Sequence, residues 1–247
     1  MKKVIVFDII DLIVEVVVVN ILIYLSLIPS ILLGNYIYKN DKVEKEPTKL
    51  LFGCFIGGVI SGVIVILMYL LGFDYQMNMN DQISILIYSF ITVSFIEELA
   101  KFLLLYFITY KNKEFDYLYD SVVYASFLGL GFAIFENLIY MLGDINLLTI
   151  ISRGFITLPA HIFFGVFMGY YLGLSKKNEI ENDKKSKYKY LGKALVIPVL
   201  LHGFFDYCLF TGDTFTSILF VLFVLILYIA SFNKVKELSN ISKSLYE

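Results

Sequence analysis

The sequence predicts an all-α, polytopic membrane bundle of about seven spans, or eight. Three observations carry this. Of 247 residues, 59% are hydrophobic, against about 45–50% in a soluble domain. Only 17% are charged, against about 25%, and these fall in short clusters between long apolar runs. The mean hydropathy is +0.78. A chain of this kind is built for the lipid bilayer. The net charge is −2, and the absence of a large basic patch excludes nucleic acid as a partner. Heavy use of Lys, Ile and Asn points to an AT-rich bacterium, and so to a multi-pass protein of a bacterial cell membrane.

A bilayer core of about 30 Å needs about 20 apolar helical residues. Seven segments qualify, at 16–38, 50–72, 83–109, 118–142, 147–173, 191–210 and 214–232. Residues 4–15 carry Asp8, Asp11 and Glu15 on one helical face. They make a poor signal peptide and read as an interfacial lead-in to the first span. Cytoplasmic connections collect lysine. Lys39, Lys42, Lys45 and Lys49 lie in the first connection, Lys111 and Lys113 in the third, and six lysines between Lys176 and Lys189 in the fifth. The connections 73–82, 143–146 and 211–213 hold no Lys or Arg. The C-terminus and a solvated loop at 174–190 are therefore expected in the cytoplasm, and the N-terminus outside. Lys2 and Lys3 are a weak contradiction.

No linker, repeat or low-complexity tract divides the chain, so residues 1–247 form one domain. Gly53, Gly57, Gly58 and Gly62, and Gly165, Gly169 and Gly173, give small-residue faces for helix packing. Cys54 and Cys208 fall near opposite membrane faces and are not expected to pair.

Glu97 and Glu98 lie side by side inside an apolar run, with Lys101 following. A charge at mid-membrane costs about 2.5–3.5 kcal/mol on insertion scales. Seven intramembrane residues form a candidate constellation: Glu97, Glu98, Lys101, Glu136, His161, His202 and Asp206. Together they cost on the order of 10 kcal/mol to bury, so a shared polar site is expected. Lys101 can reach Glu97 (i,i+4) or Glu98 (i,i+3), and His202 and Asp206 share one helical face. Pro159 should bend its span, either as a tolerated kink or as one that opens a water pocket beside His161. A water held by Glu and His could attack an amide carbonyl, while a second His stabilises the oxyanion. His161, His202, Asp206 and a Glu also suit zinc, but no local ligand spacing supports it and HExxH is absent. A serine triad lacks a nucleophile motif. An aspartyl protease wants two aspartates at the site, and this set offers Asp206 alone.

At these residues the chain resembles the PrsW family of bacterial intramembrane proteases, within the glutamate-dependent superfamily that includes the CAAX prenyl endopeptidases. The matching motifs are Glu97-Glu98-Leu99-Ala100-Lys101, then Phe135-Glu136-Asn137-Leu138-Ile139-Tyr140, then His161 after Pro159-Ala160, and His202-Gly203-Phe204-Phe205-Asp206. They lie within 97–206, and the resemblance covers roughly 20–210. It implies a glutamate-type endopeptidase that makes the first cut in a single-pass membrane protein, an anti-sigma factor, in a stress-signalling cascade. It implies no obligatory metal and no cofactor. Glu97, Glu98, His161, His202 and Asp206 would be catalytic, with the first glutamate preferred as general base. Lys101, Glu136 and Tyr140 would support them, the last two by hydrogen bonds. The alternative from another class is a proton-coupled transporter using the same groups, or a non-catalytic membrane scaffold.

Overall fold

The computed structural model describes residues 2–143, 146–241 and 245, apart from the side chains of 2–16, 18 and 19. Seven helices account for nearly all of it, with no β-sheet among the described residues: α1 (Lys2–Lys39), α2 (Thr48–Phe73), α3 (Gln82–Thr109), α4 (Asp120–Tyr140), α5 (Leu147–Ile180), α6 (Lys184–Thr211) and α7 (Thr214–Ile241). All seven hold a stretch long and apolar enough to cross a membrane; in α1 it is Asn20–Lys39. The predicted lead-in is helical and continuous with that stretch, and its acidic face lies outside the described side chains.

Local chemistry explains the helix starts. Asp81, Asn146 and Asp183 each cap a helix by accepting a hydrogen bond, from Ile83 N–H at 3.1 Å, Thr149 N–H at 2.8 Å and Ser186 N–H at 3.0 Å. Gly212, at φ 65°, closes α6 in the left-handed conformation that glycine adopts without penalty.

The expected long loop at 174–190 is corrected. Helix α5 runs on to Ile180 and α6 begins at Lys184, so only a tight turn separates them. Asn182, at φ 60°, makes that turn. Lys187 pairs with Glu179 across it, and Ser175 donates to the Lys187 carbonyl at 3.0 Å.

Helix α4 is the hub. Two-thirds of its apolar window (67%) is buried, against 17% in α7, which therefore faces lipid. α4 packs on α2 and α5, α5 packs on α6, and α6 packs on residues 88–95 of α3. The glycine faces make these approaches possible. A Cβ at Gly58 would meet the Leu128 carbonyl oxygen at 2.0 Å, and one at Gly169 would meet Ser121 O at 2.3 Å. Gly53 is the exception: nothing lies within 4 Å of its would-be Cβ, so it is not part of the packing face. Cys54 and Cys208 are free and buried.

Candidate active site

Two π-helical stretches shape the site. Tyr88–Phe95 widens α3 just before Glu97, and Arg153–Thr157 widens α5 just before His161. A π turn shifts the following side chains around the helix axis and is frequent at functional sites. Pro159 follows the second. Lacking an N–H, it leaves the Phe155 carbonyl without its helical donor. The Tyr228 hydroxyl donates to that carbonyl at 2.5 Å. A side chain from α7 thus satisfies the carbonyl that the proline frees, and a cavity lies beside His161 on the same span. On α6, Gly203 lets the helix approach α3: a Cβ there would meet the Phe90 ring at 2.5 Å. This contact brings His202 to the glutamate pair.

All seven intramembrane candidates converge. Lys101 Nζ lies 2.6 Å from Glu98 Oε1 and 3.8 Å from Glu97 Oε2. It also lies 3.3 Å from His161 Nδ1 and 3.8 Å from the Phe132 ring centroid. An ammonium has no lone pair, so His161 Nδ1 accepts and its Nε2–H donates to Glu136 Oε2, at 2.8 Å. His202 Nδ1 donates to Glu98 Oε1 at 2.9 Å. Its Nε2 lies 3.2 Å from Asp206 Oδ2 and 3.9 Å from Glu97 Oε2. Those two carboxylate oxygens are buried and make no hydrogen bond. The imidazoles meet edge to face at 5.2 Å, and Phe164 stacks on His202 at 5.0 Å.

A cavity of about 340 Å3 opens onto this cluster. Glu97, Glu136, His161, His202 and Asp206 line it together with Tyr69. Glu98 and Lys101 stand behind that wall. The cavity's remaining lining comes largely from the lysine-free ends of α2, α3, α4 and α6.

Two partners were not anticipated. Arg153 Nη2 lies 3.2 Å from Glu136 Oε2, its Nε donates to Asn137 Oδ1 at 3.0 Å, and its guanidinium lies 3.9 Å from the Tyr140 ring centroid. The signal was an arginine inside the 147–173 apolar run, a charge that must find a partner. Tyr140 contributes this cation–π contact in place of the hydrogen bond expected of it. Tyr69 carried no signal, because an aromatic residue in a span is ordinary.

The donors also fit a metal. Glu97, His161 and His202 each offer an atom, all within 4.8 Å of one another, and two imidazoles with a carboxylate suit zinc. Glu97 Oε2 makes no hydrogen bond, and Glu98 and Glu136, each bonded to one ring, could orient the two imidazoles, as such carboxylates do. His161 would join through Nδ1 by giving up Lys101. Asp206 lies outside this set.

Residues 46–231 match the family described as "PrsW family intramembrane metalloprotease", a wording that differs from the metal-free expectation. Among curated proteins, a Protease PrsW of Clostridioides difficile (strain 630) is 34% identical over 226 residues, covering 90% of this chain and 93% of its own. One from Oceanobacillus iheyensis is 36% identical, covering 82% and 89%. One from Bacillus subtilis (strain 168) is 33% identical, covering 73% and 79%. No solved structure matches. The chain is a multi-pass membrane protein that belongs to the PrsW family of intramembrane proteases.

Proposed function

We propose that this protease hydrolyses a peptide bond of a single-pass membrane protein with Glu97 as general base. One observation carries the assignment within the pair. Glu97 lines the cavity with a carboxylate oxygen free of hydrogen bonds, whereas Glu98 is engaged by Lys101 and His202 behind it.

The substrate segment enters the cavity with its scissile carbonyl toward His202. Glu97 takes a proton from water, and the water oxygen attacks the carbonyl carbon. His202, as an imidazolium whose Nδ1–H is held by Glu98 and which Asp206 flanks, donates its Nε2–H to the oxyanion. Glu97 then returns the proton to the leaving amine as the C–N bond breaks. His161, locked between Lys101 and Glu136, forms the wall that positions the water. A zinc ion held by Glu97, His161 and His202 would supply Lewis-acid activation of that water.

Resemblance to the family supports an anti-sigma factor as substrate, with this cut the first in a signalling cascade. The cavity's position near the lysine-free ends supports a cut toward the outer face. The test is to replace Glu97 by Gln in the cell and identify single-pass membrane proteins that accumulate uncut. An anti-sigma factor among them supports the reading. An unchanged membrane proteome contradicts it.

A further inference from the structure

A second carboxylate cluster lies away from the active site, where the α1–α2 connection meets the start of α4. Asp41, Glu46 and Asp120 each place a carboxylate oxygen within 4.8 Å of the others. All three are buried, at 3%, 4% and 1% exposure. Their partners are few. Asp120 Oδ2 accepts from the backbone N–H groups of Asp116 and Tyr117, at 3.0 and 2.7 Å. Glu46 Oε2 accepts from the Tyr124 hydroxyl. Asp41 Oδ2 and Asp120 Oδ1 are buried with no hydrogen-bond partner. Among the described residues, no Lys or Arg forms an ion pair with any of the three. The nearby amines point elsewhere. Lys45 Nζ donates to the backbone carbonyls of Tyr38 (2.8 Å), Lys39 (3.2 Å) and Asp41. Lys42 donates to Asn240 at 2.6 Å.

Three buried acids that form no ion pair are costly. A cation seated among the three would supply the charge that the surrounding side chains do not bring to these oxygens. The donors are all oxygen, which favours hard ions over zinc. Two oxygens on one Ca2+, each at 2.3–2.6 Å, can lie up to about 5 Å apart, so three oxygens within 4.8 Å of one another can share one ion. We propose that Asp41, Glu46 and Asp120 bind a hard divalent cation, Mg2+ or Ca2+, that clamps the α1–α2 connection to the N-terminus of α4. The same corner receives the chain's C-terminal end: Ser239 donates to the Asn40 carbonyl, and Leu245 N–H to Asp116 O at 2.6 Å. The clamp would therefore steady three parts of the bundle at once.

The test uses the full chain in detergent, stripped with EDTA and then freed of chelator. Thermal unfolding is followed while CaCl2 or MgCl2 is added, with NaCl of equal ionic strength as control. A saturable Tm rise of roughly 5–10 °C at a hundredfold excess over Kd is expected. It should vanish in Asp41→Asn and Glu46→Gln and persist in Glu97→Gln, which separates this site from the catalytic one. Equilibrium dialysis of the wild type with radioactive calcium, repeated with excess Mg2+ as competitor, reads occupancy independently of whether those variants fold. One competable ion per chain supports the site. No response beyond NaCl and no bound ion, as for a cluster that simply holds protons, overturns the proposal. So does a response that survives in folded Asp41→Asn and Glu46→Gln.

Discussion

His202 and Glu98, 104 residues apart in sequence, are joined by a 2.9 Å hydrogen bond from Nδ1 to Oε1. The same oxygen receives Lys101 at 2.6 Å. Glu98 is thus the buried anion that holds a histidine and an amine in place, while its neighbour Glu97 faces the cavity. The two glutamates should fail in different ways.

Glu98→Gln keeps the shape but leaves Lys101 without its close counter-charge. Breaking a buried pair on one side costs about 3–5 kcal/mol. The expected outcome is a marked loss of thermal stability in detergent, with most of it regained in the double variant Glu98→Gln/Lys101→Met. Thermal-shift curves check this. A Glu98→Gln protein as stable as wild type would mean that the pair contributes nothing to folding.

Arg153 fixes Glu136, which fixes His161. Charge-assisted hydrogen bonds contribute about 1.5–3 kcal/mol each, so Arg153→Ala should slow cleavage by about tenfold or more. Arg153→Lys should be slowed as well, because a point charge cannot span Glu136 and Asn137 as a guanidinium does. Tyr140→Phe keeps the ring on Arg153 and should cleave near the wild-type rate, whereas Tyr140→Ala should not. Initial rates of the four variants decide it.

The lysine alternation predicts a cytoplasmic α5–α6 turn. In a background lacking Cys54 and Cys208, a cysteine at Asn78 should react with an impermeant thiol reagent in intact cells, and one at Asn182 should not. The reverse pattern would invert the topology and put the cavity toward the inner face.

Both His161 nitrogens are engaged, by Lys101 and by Glu136, which favours water activation by side chains alone. Purified enzyme should keep its rate in 1,10-phenanthroline, which leaves Mg2+ and Ca2+ in place. Loss of activity restored by zinc would instead assign Glu97, His161 and His202 as ligands.

The span count was legible because an apolar run of about 20 residues has one solution in a bilayer. Helix ends were not. Hydropathy reports where the membrane stops, whereas the backbone ladder of α5 continues to Ile180 and that of α7 to Ile241, since Lys, Asn and Glu continue a helix once water replaces lipid. The members of the site were legible as misplaced charges. Their pairing was not: the link from Glu98 to His202 depends on a π turn and on Gly203, and neither declares itself in periodicity. Arg153 escaped because it belongs to no spaced motif.

The most direct measurement is the initial rate at which purified Glu97→Gln cleaves a single-pass membrane substrate in detergent, beside the wild type and with a thermal-shift control. Loss of a general base typically lowers the rate by about 10²–10⁴-fold. The account predicts a loss of at least that size with Tm essentially unchanged, because Glu97 Oε2 makes no hydrogen bond that folding depends on. A folded Glu97→Gln protein that cleaves near the wild-type rate would contradict it and move the base elsewhere, with Glu136 the next carboxylate on the cavity wall.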